Sequence, residues 1–246
     1  MWTTPSLALI AGVFMLAGLV KGVVGFGLPV VVIAVLTAIH GLTEAMALML
    51  VPSFVTNLWQ ALVGGRFGEL TRRLWSFMAA ICLFVWISTG LLASADARTL
   101  TAGLGTFLLI YALVSVATPQ VPPPGRREAW LAPLVGALNG TITGLTGTYV
   151  LPSGLYLQAL GLGRDGLVQA MGIVFTLSTV MLGVALAGRS LIAGEALILS
   201  GAATAPALLG LVIGQQVRKR VPEAAFRRTF FAALVALAVY LIWRPA

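Results

Sequence analysis

The sequence predicts an all-α polytopic membrane protein made of two inverted repeats, each a glycine-broken helical hairpin plus three transmembrane helices. Three observations predict it. Of the 246 residues, 59% are hydrophobic and 9% charged, whereas a soluble domain carries about 25% charged residues. Apolar stretches of about 20 residues, enough to cross a bilayer as helix, recur along nearly the whole chain. One interruption also occurs twice: Gly18-Leu-Val-Lys-Gly22-Val-Val-Gly25-Phe-Gly27, and 122 positions later Gly140-Thr-Ile-Thr-Gly144-Leu-Thr-Gly147. Both read G-x3-G-x2-G and each is followed by a proline, Pro29 or Pro152. Glycine-broken apolar segments at corresponding places in two halves point to the binding site of a transporter.

Apolar segments cover residues 6–40, 44–64, 73–93, 99–118, 130–162, 166–187, 195–217 and 226–243. As one straight helix the first would run roughly 52 Å at 1.5 Å per residue. The hydrocarbon core is only about 30 Å thick, and glycines at the centre of a helix destabilise it. Two shorter helices meeting at the glycines fit better, as a re-entrant hairpin or as two short crossings. The same holds for 130–162. Pro-Gln-Val-Pro-Pro-Pro-Gly-Arg-Arg at 119–127 cannot sustain a helix. The chain therefore divides into a first half at 1–118, a Pro-rich cytoplasmic linker at 119–129 and a second half at 130–246, forming one integrated membrane domain. The repeat extends past the glycines: at the same offset Gly41 meets Gly163, Thr43 meets Asp165, Thr56 meets Ser178 and Asn57 meets Thr179.

Charge sets the topology. If each hairpin crosses an even number of times, Arg66, Arg72, Arg73, Arg126, Arg127, Arg164, Arg218, Lys219, Arg220, Arg227 and Arg228 share one side, and only Arg98, Arg189 and Arg244 lie on the other. That distribution obeys the positive-inside rule; a single crossing per segment gives no bias. Both termini are then outside, the linker is cytoplasmic, and an odd number of crossings per half makes the repeats inverted. Topology control also accounts for the net charge of +8 better than nucleic-acid binding does. Met1-Trp-Thr-Thr-Pro lacks the basic start and small-residue cleavage site of a signal peptide, so the first segment is expected to be retained.

Several chemistries are disfavoured. Cys82 is the lone cysteine, which rules out an internal disulfide, and no metal motif or cofactor is indicated. The seven acids fall in loops or at segment ends and His40 at a boundary, so a carboxylate proton relay within the spans is not expected. Ser153 has no evident base, and no enzyme activity is expected.

The polar residues within the segments are the candidates for substrate contact. Exposed amides at a broken helix favour anions, which brings in Gly22, Gly25, Gly27, Gly144 and Gly147. The second turn adds Asn139, Thr141, Thr143, Thr146, Thr148 and Tyr149; uncharged groups of this kind solvate an oxyanion. Close helix packing through small residues is the competing reading of the glycines. Lys21 is the only charged residue inside a segment and away from its ends. It suits an anionic substrate, or snorkels to the headgroups. Ser53, Thr56, Asn57 and Gln60 share a helical face; Asp165, Gln169, Thr176 and Thr179 line a comparable one. Either face serves a cavity or interhelical hydrogen bonds. Pro206, Gly210 and Gly214 read as a packing seam.

These glycine motifs, with Pro206-x3-Gly210-x3-Gly214 before Arg218-Lys-Arg, resemble the sulfite exporter TauE/SafE family over essentially the whole chain. The resemblance implies a permease for small anions such as sulfite, sulfonates or other organic acids. The expectation is thus an anion transporter of the cytoplasmic membrane working by alternating access. Its substrate would lie between the two turns and touch Lys21, Gly22, Gly25, Gly27, Asn57, Asn139, Thr143, Gly144, Thr146, Gly147 and Thr148. Its partners are the small anion and the lipid bilayer, with no nucleic acid and a homo-oligomer left open. A channel-like pore and a non-transporting scaffold are the alternatives.

Overall fold

The computed structural model describes residues 4–117, 121–220 and 223–243. Among them are eleven α-helices and no strand. The first long segment is two helices, α1 (Thr4–Val24) and α2 (Leu28–His40), separated at the expected glycines. The segment at 130–162 divides likewise into α7 (Glu128–Thr146) and α8 (Ser153–Ala159). Between these pairs run α3 (Leu42–Leu62), α4 (Phe67–Arg73), α5 (Trp75–Ser94) and α6 (Ala97–Ala117). After them come α9 (Gly163–Ala187), α10 (Gly194–Arg218) and α11 (Glu223–Trp243). By length and composition, α1, α3, α5, α6, α9 and α10 are each able to cross a membrane. The seven-residue α4 was not expected. The linker expected over 119–129 ends in a 3-10 turn, Gly125–Arg127, and in the start of α7; its positions 119 and 120 lie outside the described residues.

The helices form two compact units. Unit 1 comprises Met1–Pro52, Ala95–Pro119 and Ile192–Ala246; unit 2 comprises Ser53–Ser94 and Gln120–Leu191. Each draws on both sequence halves, and the chain passes from one unit to the other inside α3, between Pro52 and Ser53.

In unit 1, α1 lies against α10. Gly18 and Gly22 meet the α10 backbone: a Cβ on Gly18 would stand 2.9 Å from Leu211 N, and one on Gly22 2.9 Å from Gln215 N. Gly210 and Gly214 return the contact toward Met15 and Leu19. Small residues on both sides let backbones approach, which is how dispersion holds helices together in lipid, where water does not drive association. Pro52 interrupts the α3 ladder, because its ring nitrogen cannot donate to Leu48 O. Ser200 of α10 repairs the gap: its hydroxyl donates to Leu48 O at 2.7 Å and accepts from Val51 N at 3.0 Å.

Unit 2 repeats the arrangement with the halves exchanged. Here α7, from the second half, packs on α5, from the first. Gly136, Gly140 and Gly144 meet the α5 backbone at Phe77, Ile81 and Val85. Gln169 of α9 ties off the end of α3: Nε2 donates to Ala61 O at 3.0 Å, and Oε1 accepts from Arg66 N at 3.0 Å. Arg73 of α4 holds Glu128 at the start of α7 through two bonds of 2.7 and 2.8 Å. Arg189 places its guanidinium 4.5 Å from the Trp86 ring centroid and donates to Trp86 O.

Candidate functional site

The two breaks share a local geometry at the predicted offset. Gly25 ends α1 with φ 93°, and its N–H donates to Lys21 O at 2.7 Å. Gly147 ends α7 with φ 72°, and its N–H donates to Thr143 O at 2.8 Å. Both conformations are left-handed, where a glycine carries no Cβ penalty. Gly41 and Gly163, also 122 apart, take φ 86° and 72°. The breaks differ in length: residues 25–27 separate α1 from α2, and residues 147–152 separate α7 from α8. Gly27 has φ 107° and Pro29 occupies the first turn of α2; Leu151–Pro152 is a cis peptide.

In this geometry the glycine amides are already engaged by the helices. Gly22 and Gly144 lie within helices, so their N–H groups belong to the intrahelical ladder, and their Cα atoms face α10 and α5. The N–H groups of Gly25 and Gly147 are bonded to helix-end carbonyls, as above. At these four positions the packing and turn roles account for the glycines, and the amides already have acceptors.

The side chains are another matter. In unit 1, Lys21 is 3% exposed, so its ammonium does not end on the outer surface of the protein as snorkelling requires. In unit 2, Asn139, Thr143, Thr148 and Tyr149 are fully buried, and Thr146 and Asn57 nearly so. Asn139, Thr143 and Thr146 share a face of α7 at i, i+4 and i+7, beside the glycine stripe. Thr143 Oγ1 donates to Asn139 O at 2.7 Å, and Thr146 Oγ1 donates to Ile142 O at 2.8 Å. A hydroxyl has one proton, so across the 2.7 Å contact between Thr146 Oγ1 and Thr148 Oγ1 the donor is Thr148.

Tyr149 organises the rest. Asn57 Nδ2 donates to its hydroxyl at 2.9 Å. Thr179 Oγ1 lies 3.1 Å from that hydroxyl and 2.7 Å from Phe175 O. Ser153 Oγ donates to Tyr149 O, and the Tyr149 ring packs on Phe175 with centroids 5.0 Å apart. Asn57 and Thr179, paired by the repeat offset, thus meet on one tyrosine that ties the break to α3 and α9.

Asn139 differs from its neighbours. It is fully buried, and neither Nδ2 nor Oδ1 has a hydrogen-bond partner. Of the remaining expected polar residues, Gln169 serves the α3 turn, Thr176 donates to Gly172 O at 2.7 Å, and Asp165 is exposed. Ser200 was missed as a polar anchor. Its only sequence signal is that Pro52 needs a substitute donor from somewhere.

A largely apolar multi-helix protein with two glycine-broken helical hairpins and a buried, uncharged polar cluster at one break belongs to the transporter class of membrane proteins. The family model for sulfite exporter TauE/SafE matches residues 10–241. The chain belongs to this family of membrane transporters, which is not an enzyme class. No curated protein and no solved structure matches it.

Proposed function

We propose that the protein carries a small anion, with sulfite, sulfonates and other organic acids as the candidates, across the cytoplasmic membrane. The observation that carries this reading is the second break: a buried cluster of neutral hydrogen-bonding side chains around an unpartnered carboxamide, in a chain of a transporter family. Asn139, Thr143, Thr146, Thr148 and Asn57, all in unit 2, supply neutral contacts, and Lys21 gives unit 1 a buried basic side chain suited to an anion. Gly25, Gly27 and Gly147 shape the turns, while Gly22 and Gly144 set helix spacing. The recurring break geometry and the exchanged helix pairs support inverted repeats. These suit alternating access, and the charge distribution supports a topology with both termini outside.

Efflux of sulfite, methanesulfonate and acetate from proteoliposomes tests the proposal. Wild-type flux should saturate with substrate, and Lys21→Met and Asn139→Leu should each lower it at least tenfold. Flux that never saturates would indicate a pore. Wild-type proteoliposomes no faster than empty ones for any anion would sink the proposal.

A further inference from the structure

A carboxamide carries an acceptor, Oδ1, and two donor protons on Nδ2. Leaving such groups buried and unmet costs free energy, and native folds rarely do so without a reason. Single hydroxyls at Thr37, Thr71 and Tyr156 share the condition, but Asn139 is the one side chain among the described residues with two such atoms. The neighbouring hydroxyls have no proton left for Oδ1, because Thr143, Thr146 and Thr148 spend theirs on Asn139 O, Ile142 O and Thr146 Oγ1 respectively. Asn139 is therefore the group at this break that can accept and donate at once without first breaking a bond the fold already makes.

That requirement describes a particular ligand. A fully deprotonated oxyanion offers acceptors only: it would satisfy Nδ2 and set its own charge against Oδ1. A monoprotonated oxyanion offers an O–H to Oδ1 and an oxygen to Nδ2, filling both ends with two antiparallel hydrogen bonds. Resting on the anion-transport reading above, we infer that Asn139 selects the protonated monoanion, so that the proton travels on the substrate rather than through a relay of protein side chains. This agrees with the lack of acids inside the predicted segments.

The surroundings of Asn139 keep the inference testable by pH. The elements packed on α7 are α5, α8, α9 and the Gly125–Arg127 turn. Their titratable or charged groups are Cys82 on α5, Tyr156 on α8, Arg164 and Asp165 at the exposed start of α9, and Arg126 and Arg127 in the turn; Tyr149 lies in the break. Glu128, at the head of α7 itself and paired with Arg73, is about 16 Å along the helix from Asn139 at 1.5 Å per residue. Cysteine and tyrosine ordinarily ionise at about 8.5 and 10, and aspartate and glutamate near 4, outside a window from pH 5.5 to 8.

The experiment measures binding to the purified wild-type protein across that window, at fixed total anion. The probes are sulfite and phosphite, whose second ionisations fall near neutrality and remove the last O–H, and methanesulfonate, which does not titrate there. Affinity for a titrating anion should fall about tenfold per pH unit above its own second pKa, following the protonated fraction, with the midpoint moving from one anion to the next. Methanesulfonate should give a flat profile. Asn139→Leu should abolish the discrimination while raising the unfolding midpoint, because it removes two unmet polar atoms. A flat profile for a titrating anion that does bind, or a midpoint fixed across anions, overturns the inference and leaves anion transport standing. Failure of every anion to bind or move overturns both. Destabilisation by Asn139→Leu would place its partner within the fold and overturn the premise.

Discussion

Replacing Gly140 by alanine adds one methyl group where α7 meets α5, and it separates the packing role of the glycine motif from a ligand role. A Cβ at Gly140 would stand 2.7 Å from Ile81 O and 2.9 Å from Phe84 Cβ. Ordinary contact begins at 3.4 Å, so the helices must part by about 0.7 Å at that point, and the atom in the way is backbone that cannot rotate aside. Overpacking of this kind costs about 1–3 kcal/mol. Alanine recovers about 0.8–1.0 kcal/mol of helix propensity, so the fair control is another helical glycine. Gly103 in α6 and Gly12 in α1 have open space where a Cβ would go, and Gly103→Ala and Gly12→Ala should be neutral or stabilising. The difference between Gly140→Ala and these controls isolates the overpacking term, at about 2–4 °C in unfolding midpoint per kcal/mol for a chain of 150–250 residues. Cys82 is the only thiol and sits half-buried on α5. A maleimide dye during a thermal ramp in detergent therefore reports the unfolding of α5. If Gly140→Ala melts with the controls, the α5–α7 contact is not backbone-close, and the glycines of α7 need another explanation.

Four further perturbations probe the other devices. Ser200→Ala should cost about 1–3 kcal/mol by leaving Leu48 O and Val51 N unmet beside Pro52, read as a lower thermal midpoint; Ser200→Thr, which keeps the hydroxyl, should recover part of it. Gly25→Ala and Gly147→Ala should each lose about 1–2 kcal/mol, the cost of a left-handed residue with a Cβ, and an unchanged midpoint would mean that the helix ends re-form elsewhere. Tyr149→Phe should cost about 1–3 kcal/mol by stranding Asn57 Nδ2, and Asn57→Leu added to it should cost less than the sum of the single changes. The Arg73 guanidinium holds the Glu128 carboxyl below the ordinary glutamate value, chiefly by hydrogen bonding. A depressed carboxyl contributes stability above its unfolded pKa, about 4.3, and loses it as pH falls through the lower folded value. Arg73→Ala should therefore melt earlier than wild type at neutral pH, and the two curves should converge in acid.

The hairpin breaks were legible because glycine at a helix end leaves a local signature: Gly25, Gly147, Gly41 and Gly163 all take positive φ, and each sits in a repeat pair visible by offset alone. The same letter three positions earlier has a different part. Gly22 and Gly144 look identical to their neighbours in the motif, yet their conformation is ordinary helix and their role lies in partners far along the chain, at Leu211 and Val85. No local pattern distinguishes a glycine that turns from one that admits another backbone. The stripe of Ser53, Thr56 and Asn57 was recognisable as a buried face, whereas the convergence of Asn57 and Thr179 on Tyr149 was not, because it depends on where the break places one side chain. The short α4 escaped because seven residues offer too little periodicity to separate from a loop.

Polar residues at membrane depth do not by themselves mark a site, and this chain shows why. A threonine in a helix returns its hydroxyl to the carbonyl four residues back, as Thr143, Thr146, Thr176 and Thr179 do, and is buried at little cost without any ligand. For such a residue to solvate an anion it must first give up a bond it already has, so its contribution is the difference between two hydrogen bonds, not a whole one. The informative residues are those for which the fold supplies no such local answer. Asn139 is one, because its buried carboxamide makes no hydrogen bond within the fold. An amide that meets nothing makes sense where a third party completes it. That criterion shifts the weight of the proposed site from the glycine amides, which the helices have already claimed, to this side chain.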